Sequence, residues 1–210
     1  MMAEKNDRLW KLIDEIEDCL DCYGEFCKEF ENYPCEYKVK FRELYNRAPW
    51  FFPLRNEVKG FLGNGEVKCD GKVCKIVFVC IRPSTGTFPS EADDLFYGLL
   101  RDCGFKDAHV TDLIKCRGKA KETDAETIEK MAKNCLRFLE EEIKIIDPDL
   151  IVAVGGNKTL SEHLKKLPQP YKDRIYGKPI THYSHAKRFK KEKNLRNELE
   201  EIRNKLCNIR

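Results

Sequence analysis

The sequence has no apolar run close to the ~20 residues that a membrane-spanning helix needs. Its opening stretch, MMAEKNDRLW, has no apolar core of the kind a secretory signal carries, so the expectation is an intracellular, cytoplasmic protein. Neither GxGxxG nor GxxxxGK followed by Ser or Thr occurs, which argues against an ordinary doubly wound nucleotide-binding protein. There is no internal repeat and no low-complexity segment. Glutamine occurs once, at Gln169, in a chain dense in Lys and Glu, a composition that suits a thermophile. No sign of charge dominates: 39 Lys and Arg stand against 36 Asp and Glu, so global charge gives no argument for nucleic acid.

Cysteine is the opposite case, with 11 in 210 residues. In a reducing cytosol these are expected to be free thiols or metal ligands rather than disulfides. With 41% hydrophobic and 36% charged residues the chain is globular, and its length fits one sizeable domain or one domain with an appendage. Charge does concentrate locally. AKRFKKEKNLR, residues 186–196, holds six basic residues and one acid. It reads either as a solvated helix face or as a contact surface for nucleic acid.

Leu9, Leu12, Ile13, Ile16 and Leu20 recur at helical spacing and predict a helix over 4–33, with a second over 36–47. APWFFPLR (48–55), with two prolines and three large aromatics, predicts a packed loop. EVKCDGKVCKIVFVC (66–80) predicts two strands around an Asp-Gly turn, and in KIVFVC every residue after the lysine is apolar, as in a buried parallel strand. Loop is expected over 82–93, helix over 94–105, strand over 108–114, and a long helix from Thr123 to Ile146 capped by Thr123 or Asp124. Asp147-Pro148 ends it. LIVAVG (150–155) is a further buried strand, Asn157–Leu167 a short helix, and KPITHYS (178–184) a last strand or its exit. Strand–helix alternation of this kind implies an α/β protein: a three-layer α/β/α body with a central, mostly parallel four-stranded sheet over 64–210, and a helical N-terminal extension, 1–63, packed on it. Ligands bind at the carboxyl ends of such strands, here RPSTG, KCRGK, GGNKT and HYSHAKR.

Those ends, in that order, resemble the uracil-DNA glycosylase superfamily over about residues 66–200, and most closely its iron–sulfur branch. In that branch a middle strand ends in Thr-Asn-x-x-Lys-Cys-Arg, a cysteine follows on the next helix, a Pro-x-x-Ile-x-x-x-Gly strand comes next, and a His-Pro-Ser loop closes the site. The counterparts here are Thr111-Asp112-Leu113-Ile114-Lys115-Cys116-Arg117, Cys135, Pro148 to Gly155, and His182-Tyr183-Ser184. The first motif, Gly-Glu-Ala-Pro-Gly in the branch, is diverged to Cys80-Ile81-Arg82-Pro83-Ser84.

The resemblance implies a DNA glycosylase of base excision repair that acts on single-stranded or damaged duplex DNA, and a monomer is expected. It also implies a 4Fe–4S cluster on Cys19, Cys22, Cys116 and Cys135, since four thiolates are what such a cluster needs. A zinc site on Cys19, Cys22, Cys27 and Cys35 competes with it, and Cys69 and Cys74, flanking a hairpin turn, offer a replacement pair. Cys80, Cys103 and Cys207 read as small core residues.

A flipped base needs a stacking partner, a donor for its developing oxyanion and a group that places water. The resemblance puts Phe88 in the first role and His182 in the second, with His185 as the alternative donor because His-Tyr-Ser-His aligns in two ways. Ser184 would bind a phosphate flanking the flipped nucleotide, and Lys187 and Arg188 backbone phosphates. Pro83 and Ser84 line the first loop, and Asn157 follows a glycine turn able to hold an anion. Asp112 replaces a base-reading Asn. When ionised it only accepts hydrogen bonds, which favours a base edge rich in donors. The water-placing position of the family falls at Ile81 or Arg82. Arg82 stays protonated and suits anion stabilisation instead, leaving Glu91, Asp93 or Asp94 to activate water. That substitution keeps a second reading open: a nucleic-acid or nucleotide-binding member of the fold that does not cut.

Overall fold

A computed structural model describes residues 2–19, 65–69, 71–82, 90–115 and 124–209. The helix expected over 36–47 and the loop over 48–55 lie outside the described residues, as do Cys22, Cys27, Cys35, Pro83, Ser84, Phe88 and Cys116.

β1 (Glu66–Cys69) and β2 (Lys72–Cys80) form an antiparallel hairpin in which Cys69 faces Lys72. Gly71 turns with φ +88°, a value that suits residues without a Cβ. The apolar half of β2 is flanked on both edges. β3 (His109–Asp112) pairs with it in parallel, Val77 opposite His109 through Cys80 opposite Asp112. β4 (Leu150–Ala153) pairs in parallel on the other edge, Ile76 opposite Leu150 through Val79 opposite Ala153. The four-stranded sheet thus has one antiparallel and two parallel pairings. KPITHYS adds only a single bridge, Ile180 to Val154, because Pro179 and the turn to His182 leave no length for a ladder.

Alternation along β2 explains its apolar run. Val77 and Val79 enter a core built with α1 (Met2–Asp18), α3 (Ala125–Ile146) and α4 (Lys158–Leu164). Ile76, Phe78 and Cys80 enter a second core with α2 (Glu91–Asp102), α5 (Tyr183–Arg188) and α6 (Glu192–Cys207). Successive side chains of a strand point to opposite faces, so a strand covered on both sides must be apolar at every position. Each such buried Val, Ile or Phe contributes roughly 1.5–3 kcal/mol relative to exposure.

α1 ends at Asp18 and lays Leu9, Leu12 and Ile16 on α3; the expected helical stretch over 20–33 lies outside the described residues. α2 starts at Glu91, three residues before its expected start. Ser90 and Asp93 form a capping box, with the Asp93 carboxylate accepting from the Ser90 amide at 2.9 Å and the Ser90 hydroxyl accepting from the Asp93 amide at 3.3 Å. Asp124 caps α3 through Thr127 N at 2.8 Å. Asp147, with φ +50°, and Pro148 end it. The Asp149 carboxylate then accepts from Lys75 N at 2.8 Å and sets the start of β4 against β2.

One expectation about the cysteines is overturned. Cys69 and Cys207 form a disulfide, Cα–Cα 5.1 Å, between β1 and the end of α6. Cys207 is therefore not a plain core thiol, and Cys69 is not available to a metal. Cys74, Cys80 and Cys103 are buried free thiols, and burial pushes Cys74 and Cys103 above the usual thiol range. The 186–196 run is likewise not one helix face. It divides at residues 189–191 between α5 and α6.

Candidate active site at the strand carboxyl ends

The parallel strands β2, β3 and β4 end at one edge of the sheet. Leu113 N donates to Cys80 O at 2.9 Å and Ile114 N to Ile81 O at 3.0 Å, so the exits of β2 and β3 stay zipped past their last ladder residues. This brings Asp112, 3% exposed, level with Cys80, which lies two residues before the half-buried Arg82. At β4, Val154 N donates to Val79 O and Gly155 N to Ile180 O, each at 2.8 Å. The bend at Gly155 therefore sits directly against the segment leading to His182.

His182 is the N-cap of α5. Its Nδ1 accepts from Ser184 N at 3.2 Å, and Ser184 Oγ lies 2.8 Å from the same nitrogen. An amide N–H only donates, so Nδ1 carries the lone pair and the ring proton of the neutral imidazole sits on Nε2. The ring stacks on Tyr183 at 4.3 Å, and Tyr183 stacks on Phe96 of α2 at 4.9 Å, which fixes the imidazole to the core. Gly155 forms the wall behind it. A Cβ added there would come within 3.1 Å of His182 Cδ2, and φ is +92°.

The segment before His182 is clamped by α6. Glu198 accepts from Thr181 N at 2.7 Å and Thr181 Oγ1 at 3.1 Å. Glu201 accepts from Tyr176 Oη at 2.9 Å and Lys178 Nζ at 3.0 Å, and those two bonds, Lys178 first, hold its carboxyl below the usual range. Glu198 and Glu201 are three apart, hence on one helical face, but nothing in their local sequence marks a partner.

A second arrangement missed by sequence reading lies behind β3. Lys115 turns its ammonium inward to Glu142 of α3 and to Thr111 Oγ1, the latter at 2.9 Å. Thr111 donates to Glu142 at 2.9 Å, and His109 Nε2 lies 3.8 Å from the same carboxylate. Lys115, Glu142, Thr111 and His109 are all buried. Burial alone would raise the Glu142 pKa; the Lys115 ammonium, then His109, outweigh it and hold the carboxyl below its ordinary range. A buried charged pair needs this full set of bonds to persist.

A sheet whose strand ends gather Asp112, Arg82, Gly155 and a tautomer-fixed His182 matches the order of motifs read from the sequence. The family model described as the uracil DNA glycosylase superfamily matches residues 70–207. The chain belongs to the uracil-DNA glycosylase superfamily. Comparison with curated proteins found no match. The superfamily match runs from the hairpin turn to Cys207 and so includes every element that builds this edge.

Placed on this glycosylase scaffold, the remaining candidates separate. Ser184 uses both its amide and its hydroxyl on His182. Asn157 Oδ1 accepts from Leu160 N at 3.1 Å and caps α4. His185 lies on the exposed side of α5 with its ring 4.5 Å from Phe189. Lys187 is exposed and pairs with Glu91 at 3.5 Å; Arg188 is exposed beside Phe189. Asp93 is buried in its capping box, Asp94 lines the groove between α2 and α6, and Glu91 is the carboxylate of the three that reaches α5.

Two of the four proposed cluster thiols are described. Cys135 Sγ accepts from Lys115 N at 3.4 Å, which puts it beside the backbone that leads into Cys116. Cys19 packs on the same core, with Arg137 Nη2 3.8 Å from its sulfur. Cys135 lies on α3, and Cys19, just past the end of α1, packs against the same core. Among the described residues no group of three or more His, Cys, Asp or Glu is placed to hold a metal. No described helix is long and apolar enough to cross a membrane.

Proposed function

We propose that this protein is a DNA glycosylase of base excision repair, built on a three-layer α/β/α body with a helical N-terminal extension, that flips uracil or another deaminated base and hydrolyses its N-glycosidic bond. The observation that carries the reading is His182, fixed by Ser184 and backed by Gly155 at the strand ends, with its proton on the nitrogen away from the cap. Cleavage leaves negative charge on the departing base, and an immobile neutral donor stabilises that charge more in the transition state than in the ground state. Asp112 reads the base edge, Phe88 covers the ring, and Arg82 stabilises the anion or a flanking phosphate. Water activation falls to a carboxylate of α2, with Glu91 the one oriented toward α5. Lys187 and Arg188 bind the DNA backbone.

Cys19, Cys22, Cys116 and Cys135 would hold a 4Fe–4S cluster, and the placement of Cys19 and Cys135 on one shared core, with Cys135 beside the backbone leading into Cys116, supports that set over zinc on Cys19, Cys22, Cys27 and Cys35. When bound, the cluster acts as a clamp between the N-terminal region and the loop after β3. The protein works as a monomer inside the cell. The Cys69–Cys207 disulfide fits that placement in a thermophile, where intracellular proteins retain disulfides.

A second reading rests on Arg82. A guanidinium cannot take a proton from water, so a member of the superfamily that binds DNA without cutting it remains the rival. Base release from oligonucleotides carrying uracil, hypoxanthine or xanthine, single-stranded and mismatched, decides between them. Abasic sites that His182→Ala abolishes establish the glycosylase. DNA binding with no release on any of these substrates establishes the rival.

A further inference from the structure

Among the described residues, Val73 and Phe189 are the exposed large hydrophobics. Val73 lies in the edge hairpin. Phe189 is 53% exposed at the C-cap of α5, the helix that His182 opens. Residues 185–193 around it carry five basic side chains and one acidic one. Lys187, Arg188, Lys190, Lys191 and Lys193 are all exposed.

The turn that presents Phe189 is well fixed. Lys191 N donates to Ala186 O at 2.8 Å, Phe189 N to His185 O at 3.0 Å and Lys190 N to Lys187 O at 3.4 Å. Lys190 has φ +53°. This is the hydrogen-bonding pattern of a Schellman helix end, at whose left-handed residue glycine is the least strained choice. The chain has a lysine there instead, which keeps a charge beside the ring. His185 lies 4.5 Å from the Phe189 ring and the Arg188 guanidinium 5.4 Å above it. An exposed aromatic flanked by cations on a rigid turn is what a single-stranded nucleic acid meets in proteins that bind it by stacking. At about 1.5 Å per residue, Phe189 stands roughly 10 Å along α5 from His182, a distance of one to three nucleotides.

We propose that Phe189, with His185 and the basic turn 187–191, is a stacking platform for an unpaired base flanking the flipped nucleotide, and that it gives the protein a preference for single-stranded DNA. The proposal rests on the reading of the site as one that acts on DNA. The occupant is set by charge: the cations meet phosphates, while a π-face, which duplex DNA keeps buried in its stack, meets the ring. The duplex contributes phosphates alone.

The test is fluorescence anisotropy of the full-length protein with a labelled oligo-dT strand and with the same sequence as duplex, across a salt series. Phe189→Ala is expected to weaken single-strand binding at least about fivefold, with the salt dependence unchanged and duplex binding altered less than twofold. Phe189→Trp is expected to retain affinity and to show tryptophan quenching on the single strand only. Lys190→Gly is expected to raise the thermal midpoint while weakening both forms of DNA with a shallower salt slope. Wild-type single-strand affinity in Phe189→Ala, or equal losses on single strand and duplex, overturns the platform. Base release is scored separately. Release with no effect of Phe189→Ala on binding sinks the platform and leaves the glycosylase, whereas a selective single-strand loss without base release from the wild type upholds the platform and sinks the glycosylase.

Discussion

The imidazole of His182 fills the space that a side chain on Gly155 would need: an added Cβ would stand 3.1 Å from Cδ2 and 3.2 Å from Cβ of the histidine. A methyl group there must push the ring, because the three nearest atoms all belong to His182, and the φ of +92° at Gly155 is itself strained for a residue with a side chain. Gly155→Ala is therefore expected to slow single-turnover base release about tenfold or more while DNA affinity stays near wild type. It also costs more than roughly 1 kcal/mol of stability, since alanine disfavours positive φ. Rapid-quench kinetics beside anisotropy measures both. A variant that lost affinity and kept its rate would place Gly155 outside the positioning of His182.

Ser184 tests which partner its hydroxyl serves. Removing the contact to His182 Nδ1 leaves the amide bond in place, so Ser184→Ala loses one hydrogen bond of about 0.5–1.5 kcal/mol. The expected result is a two- to tenfold slower release with DNA affinity unchanged. A hydroxyl that binds phosphate would show the reverse pattern in the same pair of measurements.

The Lys115–Glu142 pair is expected to be a pH-dependent support for the loop after β3. Because the folded carboxyl lies below its ordinary range, its contribution is present above an unfolded value of about 4.3 and is lost as pH falls through the folded value. The difference in thermal midpoint between wild type and Glu142→Gln should shrink as pH drops from 7 toward 3. Lys115→Met leaves a buried unpaired carboxylate and should cost about 3–5 kcal/mol, recovered in large part by the double variant Lys115→Met with Glu142→Leu. A difference in midpoint that is flat with pH would remove the ion pair from the stability of this region.

Reduction of Cys69–Cys207 should loosen the packing of α6 on β1. Closing a loop of this length is worth roughly 2–5 kcal/mol, so Cys207→Ser or dithiothreitol should lower the midpoint by several degrees. A non-reducing peptide map that fails to find the Cys69–Cys207 linkage would contradict the pairing.

Anaerobically purified protein should be brown and carry about four iron atoms per chain. Cys135→Ser and Cys19→Ser should each remove most of the iron, whereas Cys103→Ser, at a buried thiol of the other core, should retain it. Colourless protein with bound zinc would transfer the cysteines to the N-terminal set.

Local rules made much of this molecule legible before folding. Apolar runs at 76–80 and 150–155 could only be strands covered on both faces, and Asp124 and Asp147-Pro148 bound α3 within a residue or two. The order of strand-end motifs carried the family, since each motif is contiguous in sequence. Where the sequence misled, the deciding partner was remote or unmarked. The start of α2 is the exception, three residues early because Ser90 and Asp93 form a capping box whose spacing was present in the sequence. Lys115 offers an ammonium either to a phosphate or to a carboxylate, and only the packing of α3 on β3, 27 residues away, turns it inward to Glu142. Cys69 and Cys207 are 138 residues apart, and no periodicity links them until α6 lies across the hairpin. Glu198 and Glu201 look like any solvated helix face until the 176–181 segment docks on them. Sequence determined which elements form, because helix and strand periods are written within a few residues. Tertiary structure decided which charges and thiols meet, because burial and proximity exist only once those elements are packed.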